Sequence, residues 1–138
     1  MKRFNVRVYG ICINERNEVL LSDESHQEVS FTKFPGGGLE FGEGTLDCLK
    51  REFLEEFNLE IAVEELFYLT DFFQVSAFSE NDQVISIYYL IKADTDELDY
   101  IITNHLGAEK LHWVRLSELT EESVTFPIDR IVVSKLIS

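Results

Sequence analysis

The sequence predicts a layered α/β (α+β) domain. Three observations carry this. Runs rich in β-branched and aromatic residues open the chain and recur after its middle. One helical pattern separates them, and a second, opened by a proline, closes the chain. At 138 residues there is enough chain for one domain over residues 1–138 with one core. Strands, a helix, more strands and a terminal helix are the order of such a layered domain.

Taken in order, residues 4–13 (FNVRVYGICI) read as a strand with partial alternation. Residues 14–17 are a turn, and residues 18–21 (EVLL) the returning strand. The polar residues 22–30 are expected to form a mobile loop. Residues 31–34 form a short strand feeding Pro35 and a glycine-rich turn at Gly36, Gly37 and Gly38. Gly42 and Gly44 flank Glu43 in a polar loop. Thr45 is the expected N-cap of a helix over 46–57, with Asp47 suited to its first turn. Leu46, Leu49, Phe53 and Phe57 fall on one stripe and define its buried face.

Beyond the helix, residues 61–75 contain a long apolar stretch, readable as one strand or as two with a bend. Residues 79–83 are a polar turn, and residues 84–91 (VISIYYLI) a strand. Residues 93–97 are acidic and loop-like, and residues 100–102 are ambiguous. Residues 111–116 form a short strand and residues 117–122 a turn or short helix. Pro127 suits the first position of the last helix, whose stripe is Ile128, Ile131, Val132 and Leu136.

Composition excludes several function classes. A net charge of −14 argues against passive binding to duplex nucleic acid or to an anionic membrane, because both need a basic surface. A phosphorylated small molecule remains compatible, because a bound divalent cation inverts the local field. Cys12 and Cys48 show no pairing pattern and read as reduced structural thiols. Lys2, Arg3, Asn5 and Arg7 interrupt any leader-like apolar run, and no stretch has the length of a membrane span. A cytoplasmic location is the expectation.

The chemistry concentrates in the central helix. Glu52, Glu55 and Glu56 stand at i, i+3 and i+4 on one face. Like charges at that spacing destabilise a helix by roughly 1 kcal/mol in total. A cation is the natural compensation, and carboxylates are the ligands that hard divalent ions prefer. Cys48 lies one turn before Glu52; its small side chain fits packing and also leaves room for a metal or phosphate.

Gly37, five residues, Glu43, seven residues, then Arg51-Glu52-Phe53-Leu54-Glu55-Glu56-Phe57-Asn58-Leu59 resembles the Nudix box, Gly-x5-Glu-x7-Arg-Glu-U-x-Glu-Glu-x-Gly-U, with U bulky and apolar. One position departs: Asn58 replaces the last glycine. Asn is the next most tolerant residue of a left-handed backbone, so the departure is structural. Lys33-Phe34-Pro35-Gly36-Gly37 and Trp113-Val114 agree more loosely.

The resemblance implies an α/β/α sandwich with a mixed sheet. It also implies Mg²⁺- or Mn²⁺-dependent hydrolysis of a nucleoside diphosphate linked to another moiety. Glu52, Glu55 and Glu56 are then the metal ligands, with a carbonyl of Gly36 or Gly37. Glu55 is the first choice to take the proton of water. Glu43 and Arg51 support the carboxylates. Glu109 is a second candidate for base or metal contact, and Lys33 and Arg7 are candidates for the substrate. Phe31, Phe34, Tyr68, Phe72, Phe73 and Tyr88 could include a stacking platform. His26, His105 and His112 show no metal spacing. The loops 22–30, 78–83 and 93–108 are where specificity is expected. A homodimer through the first strand or a sheet edge is allowed. The competing reading is a non-hydrolytic nucleotide-binding regulatory or scaffold domain with the same fold; its members usually lose box carboxylates, and here none is lost.

Overall fold

The computed structural model describes residues 1–107 and 109–138. The strands are β1 (Arg3–Cys12), β2 (Glu18–His26), β3 (Val29–Lys33), β4 (Gly36–Gly38), β5 (Ala62–Leu69), β6 (Asp82–Lys92) and β7 (Lys110–Arg115). The helices are α1 (Thr45–Phe57), α2 (Thr95–Thr103) and α3 (Pro127–Ile137), preceded by a single 3-10 turn at Glu121–Ser123.

Two sheets form. The order in one is β4-β1-β6-β5, and in the other β3-β2-β7. β1 runs parallel to β6 and antiparallel to β4, so the larger sheet is mixed, as the resemblance implies. Alternation on β1 explains the layers. Val8 and Cys12 point into a core with Leu49, Phe53 and Phe57 of α1 and Leu98 and Ile101 of α2. Tyr9 and Ile11 point the other way, towards Ile128, Val132 and Val133 of α3. Helices therefore cover both faces of the sheets, which is the α/β/α arrangement.

Several local expectations change. Residues 22–30 are not a loop: Ser22 to His26 continue β2 and pair with β3 down to His26 opposite Val29. The turn is confined to Gln27 and Glu28, whose φ values of 52° and 65° are those of a tight hairpin turn. Polar composition misled here because these strands project beyond the core and border a cavity. The glycine turn is itself a strand, with Gly36, Gly37 and Gly38 opposite Tyr9, Val8 and Arg7. Residues 95–103, expected as loop and ambiguous chain, form α2. Its N-cap is Asp94, which accepts a hydrogen bond from the Glu97 N–H at 3.1 Å.

Helix ends and stripes also shift. Gly44, not Thr45, is the N-cap of α1, and the Thr45 hydroxyl instead meets the Tyr89 hydroxyl at 2.7 Å. Leu46 is exposed, and buried Cys48 takes its place on the α1 stripe. On α3 the buried residues are Ile128, Asp129, Val132 and Val133. The stretch 61–75 is one strand, β5, with irregular pairing to β6, followed by a lone bridge from Val75 to Gln83. β1 is interior, so it offers no edge for a partner; β4, β5, β3 and β7 are the sheet edges.

Asn58 behaves as expected. It adopts φ 52°, ψ 40° at the end of α1, where its N–H donates to Leu54 O and the Leu59 N–H donates to Phe53 O. Leu59 is buried behind it and seals the end. Asn58→Val is expected to cost about 1–2 kcal/mol, the penalty of a left-handed backbone for a branched residue. Asn58→Gly is expected to keep or raise stability. Urea unfolding of both variants checks this.

Candidate functional site

The site starts with one side chain. Arg51 has five N–H donors, and all five are used. Nε and Nη2 grip the two oxygens of Glu43 at 2.9 and 2.8 Å. Nη2 also donates to Gly38 O at 3.0 Å. Nη1 donates to Glu52 Oε1 and to Glu55 Oε2, each at 3.2 Å. The helix thus carries its own counter-ion for the box acids. The Arg51 hydrogen bonds, aided by the backbone at Glu40, hold the Glu43 carboxyl at about 2.

β4 meets this cluster edge on. A Cβ built on Gly37 would fall inside the Glu52 carboxylate. Glycine is required there because the acid lies directly on the backbone. Gly36 has φ 151°, and a Cβ on it would run into the Val8 carbonyl. The β4–β1 ladder also orients the carbonyls. Gly10 N–H donates to Pro35 O and Leu39 N–H to Val6 O, each at 2.9 Å. Alternation then turns the Gly37 carbonyl towards Val8 and those of Gly36 and Gly38 outwards. Gly38 is taken by Arg51. Gly36 is the glycine carbonyl left open, rather than Gly37.

The three box glutamates separate into two environments. Glu55 is 60% exposed on the solvent side of Arg51. Glu52 is 14% exposed and faces inwards. Glu56, one turn on, is half-buried beside Glu52 and Glu109. Burial first, then Glu109 and Glu52, push the Glu56 carboxyl up to about 9. The structure therefore brings Glu52, Glu56 and Glu109 together, with Glu55 more exposed and joined to Glu52 through Arg51 Nη1. Cys48 is a packing residue: it is fully buried, with its thiol 3.5 Å from Gly38 O.

Among the described residues, no group of three or more His, Cys, Asp or Glu side chains stands closed in a metal-holding geometry. The donor chemistry nevertheless fits a hard dication. All available donors are oxygens, and the crowding at Glu56 is the repulsion that a dication would relieve.

A cavity of about 680 Å³ reaches the cluster through Arg7, which stands by Gly38 and Glu52, and Glu24, which stands by Glu109. Arg3, Asn5, Arg7 and Tyr9 of β1 line it, with Val84, Ser86 and Tyr88 of β6, so one face of the sheet is its floor. Glu24, Phe31 and Lys33 of the β2–β3 hairpin, the segment 74–79 and residues 126–129 complete it. Arg7 Nε donates to the Tyr9 hydroxyl at 3.1 Å, and its guanidinium lies 5.8 Å over that ring. Arg7 also stands against β4, since a Cβ on Gly38 would sit 3.3 Å from Arg7 Nη1. Lys33 is buried; its Nζ is 2.7 Å from Glu24 Oε2 and 5.2 Å over the Tyr9 ring. Burial draws the Lys33 pKa down, but Tyr9, Glu24 and Glu109 outweigh it and the net shift is upwards.

In the lining, Phe31, Phe78 and Phe126 form a mutual cluster with centroids 5.0 to 5.9 Å apart. His26 meets Phe78 edge on at 4.9 Å. Of the aromatic residues singled out from the sequence, Phe31 and Tyr88 reach the cavity. Phe34 is core, and Phe72 and Phe73 are surface residues. Sequence reasoning missed Ser22, Glu24, Phe78, Phe126 and Asp129. Asp129 left a readable trace, an acid inside the apolar stripe that follows Pro127. The specificity segment 93–108 does not border this cavity, and Ala108 lies outside the described residues.

Asp129 is 3% exposed and accepts a short hydrogen bond from the Tyr88 hydroxyl. Burial pushes its carboxyl up to about 6, against the pull of Tyr88, Lys33, Phe34 N–H and Arg7.

A family model described as NUDIX domain matches residues 3–135. No curated protein matches the chain. Solved structures do. The DNA mismatch repair protein MutT, a Nudix hydrolase from methicillin-resistant Staphylococcus aureus, is 23% identical with a TM-score of 0.70, covering 99% of this chain and 98% of that one. The Escherichia coli ORF135 protein is 16% identical with a TM-score of 0.71, covering 96% and 88%. A MutT protein from Methanosarcina mazei is 18% identical with a TM-score of 0.68, covering 98% and 94%. At these identities the likeness is one of fold.

Two outcomes are expected here. Gly37→Ala should displace the Glu52 carboxylate and weaken Mn²⁺ binding while α1 stays helical, as read by calorimetry and circular dichroism. For Asp129 the folded pKa lies above the unfolded value of about 3.9. Its contribution to stability is therefore full below that value and is lost as pH rises through about 6. Asp129→Asn keeps an acceptor for Tyr88 and removes the ionisation. Its stability relative to the parent should rise by up to about 3 kcal/mol between acid and neutral pH, measured by urea unfolding.

Proposed function

The chain belongs to the Nudix family of pyrophosphohydrolases, and from that premise we propose that it hydrolyses the pyrophosphate link of a nucleoside diphosphate joined to another group, with Mg²⁺ or Mn²⁺. The products are a nucleoside monophosphate and the phosphorylated second group. The observation that carries this reading is an inward carboxylate set, Glu52, Glu56 and Glu109, linked through Arg7, Glu24 and Lys33 to the cavity that these three residues line. Its volume of about 680 Å³ suits a nucleoside with part of its phosphate chain.

The residues divide the work. Glu52, Glu56 and Glu109, with the open carbonyl of Gly36, are the groups that would hold a divalent ion. When bound, that ion would neutralise phosphate oxygens and lower the pKa of water. Arg51 orients Glu52 and Glu55 and keeps Glu43 ionised. Arg7 stands where the cavity meets β4 and takes a phosphate oxygen. Lys33 adds positive potential from beneath, because Glu24 already holds its ammonium. A carboxylate of the inward set accepts the proton of the attacking water, and the far phosphate leaves in line. Glu55, the first choice from sequence, is more exposed than that set, and its role in this reading is that of a partner of Arg51. The segment 74–79 and the rings of Phe31, Phe78 and Phe126 exclude water around the nucleoside.

Nucleoside triphosphates and small nucleotide sugars are the first substrates to test. A panel of nucleoside diphosphate derivatives with Mg²⁺ and Mn²⁺, read by product mass, decides the reaction. Glu52→Gln and Glu56→Gln should each lower kcat on the order of 10²-fold or more with the fold intact, and Glu55→Gln should lower it less. Absence of turnover across the panel with both ions would sink the reading. Equal losses at Glu55 and Glu56 would return Glu55 to the inward set.

A further inference from the structure

Glu109 stands just before β7, and Lys33, the cation whose charge it shares, is already paired with Glu24. Among the described residues it forms no ion pair, and its neighbours in the cluster are the carboxyls of Glu56 and Glu24. A free glutamate side chain next to two acids should swing to solvent. What holds it is Ser22. This residue is fully buried, and its Oγ lies 3.1 Å from Glu109 Oε2 and 3.1 Å from Glu24 Oε2.

Hydrogen-bond accounting decides between the two acids. A hydroxyl carries one proton. Glu24 Oε2 already faces the Lys33 ammonium at 2.7 Å, whereas among the described residues Glu109 has no such ion pair. The Ser22 proton therefore serves Glu109. The sheet makes the contact reproducible. Ser22 pairs with Lys33 across β2–β3 and with Leu111 across β2–β7, so both neighbouring strands fix its position. Leu111 is two residues beyond Glu109. Leu20, Ser22 and Glu24 share one face of β2, which brings the hydroxyl from the core beneath α1 to the edge of the cavity.

We propose that Ser22 is a positioning residue, which draws the Glu109 carboxylate into line with Glu52 and Glu56 and so completes an oxygen site for a divalent cation. The Lys33–Glu24 pair supports it by occupying the competing acid. The inference rests on the hydrolase reading, but its test does not rest on turnover alone. Groups that orient ligands without touching the metal typically contribute about 10–100-fold to affinity or activity.

The experiment is a double-mutant cycle on the full chain with Mn²⁺ alone as the probe, read by calorimetry. The four proteins are the parent, Ser22→Ala, Glu109→Gln and the double variant. Ser22→Ala should weaken Mn²⁺ binding about tenfold, Ser22→Thr should restore it, and Ser22→Ala should cost nothing further in the Glu109→Gln protein. With a substrate in hand, kcat should follow the same pattern while KM stays level. Parent-like Mn²⁺ affinity in Ser22→Ala overturns the proposal. So does an equal loss with and without Glu109, which would mark a merely structural role. Should Ser22→Ala fail to fold by thermal melting, Ser22→Cys runs the same cycle with a weaker donor of similar size. A parent that binds Mn²⁺ yet hydrolyses nothing removes the hydrolase reading alone, and calorimetry still decides Ser22. A parent that binds no Mn²⁺ removes both.

Discussion

The guanidinium of Arg51 is the interaction on which the rest of the site depends. Four acids, Glu43, Glu52, Glu55 and Glu56, are brought to one short stretch of loop and helix. In isolation that arrangement repels itself. Arg51 answers it with a two-pronged grip on Glu43, one donor each to Glu52 and Glu55, and a last one to the Gly38 carbonyl. It thereby ties the loop, the helix and β4 into one unit. A lysine could not do this, because a compact ammonium has three donors and no planar fork. Only Glu56 is left without a share of this cation, and it is the acid whose neighbours crowd it most.

Close approach is the second constraint. Glu52 lies on the backbone of Gly37, and Gly36 runs against the Val8 carbonyl. The glycines are there to let β4 pair with β1 on one side and meet carboxylates on the other. A glycine-rich loop holding phosphates by its N–H groups would need those groups free, and the ladder engages those of the pairs that face β1. What β4 offers instead is a narrow, side-chain-free wall beside the acids.

The cavity owes its existence to the parting of the two sheets. β1 and β6 are packed on both faces over Val8 to Cys12 and Tyr88 to Ile91. Nearer the start of both strands, the same face that packs on α3 loses its cover, and Arg3, Asn5, Arg7, Val84 and Ser86 border open space. Asp129 and Tyr88 stand at the change from core to cavity, which is why a carboxyl there is buried yet borders open space.

Much of the site was legible in the chain itself. The spacing of Gly37, Glu43, Arg51, Glu52, Glu55 and Glu56 is local, since it spans a turn, a loop and one helix. Local spacing converts directly into geometry through helical periodicity. The backbone need at Asn58 was readable for the same reason. Sequence could not separate Glu55 from Glu56, because neighbours on a helix differ only in what faces them. Nor could it pair Ser22 with Glu109, Lys33 with Glu24, or Tyr88 with Asp129, whose partners are 87, 9 and 41 positions apart. The helix α2 escaped because its apolar face has only Leu98 and Ile101 buried. Composition and short-range order thus determined the family box, the layers and the ionic character of the centre. Strand register and the meeting of two sheets decided which acids converge, which carbonyl stays open and where a ligand could enter, because those depend on contacts that only the folded chain makes.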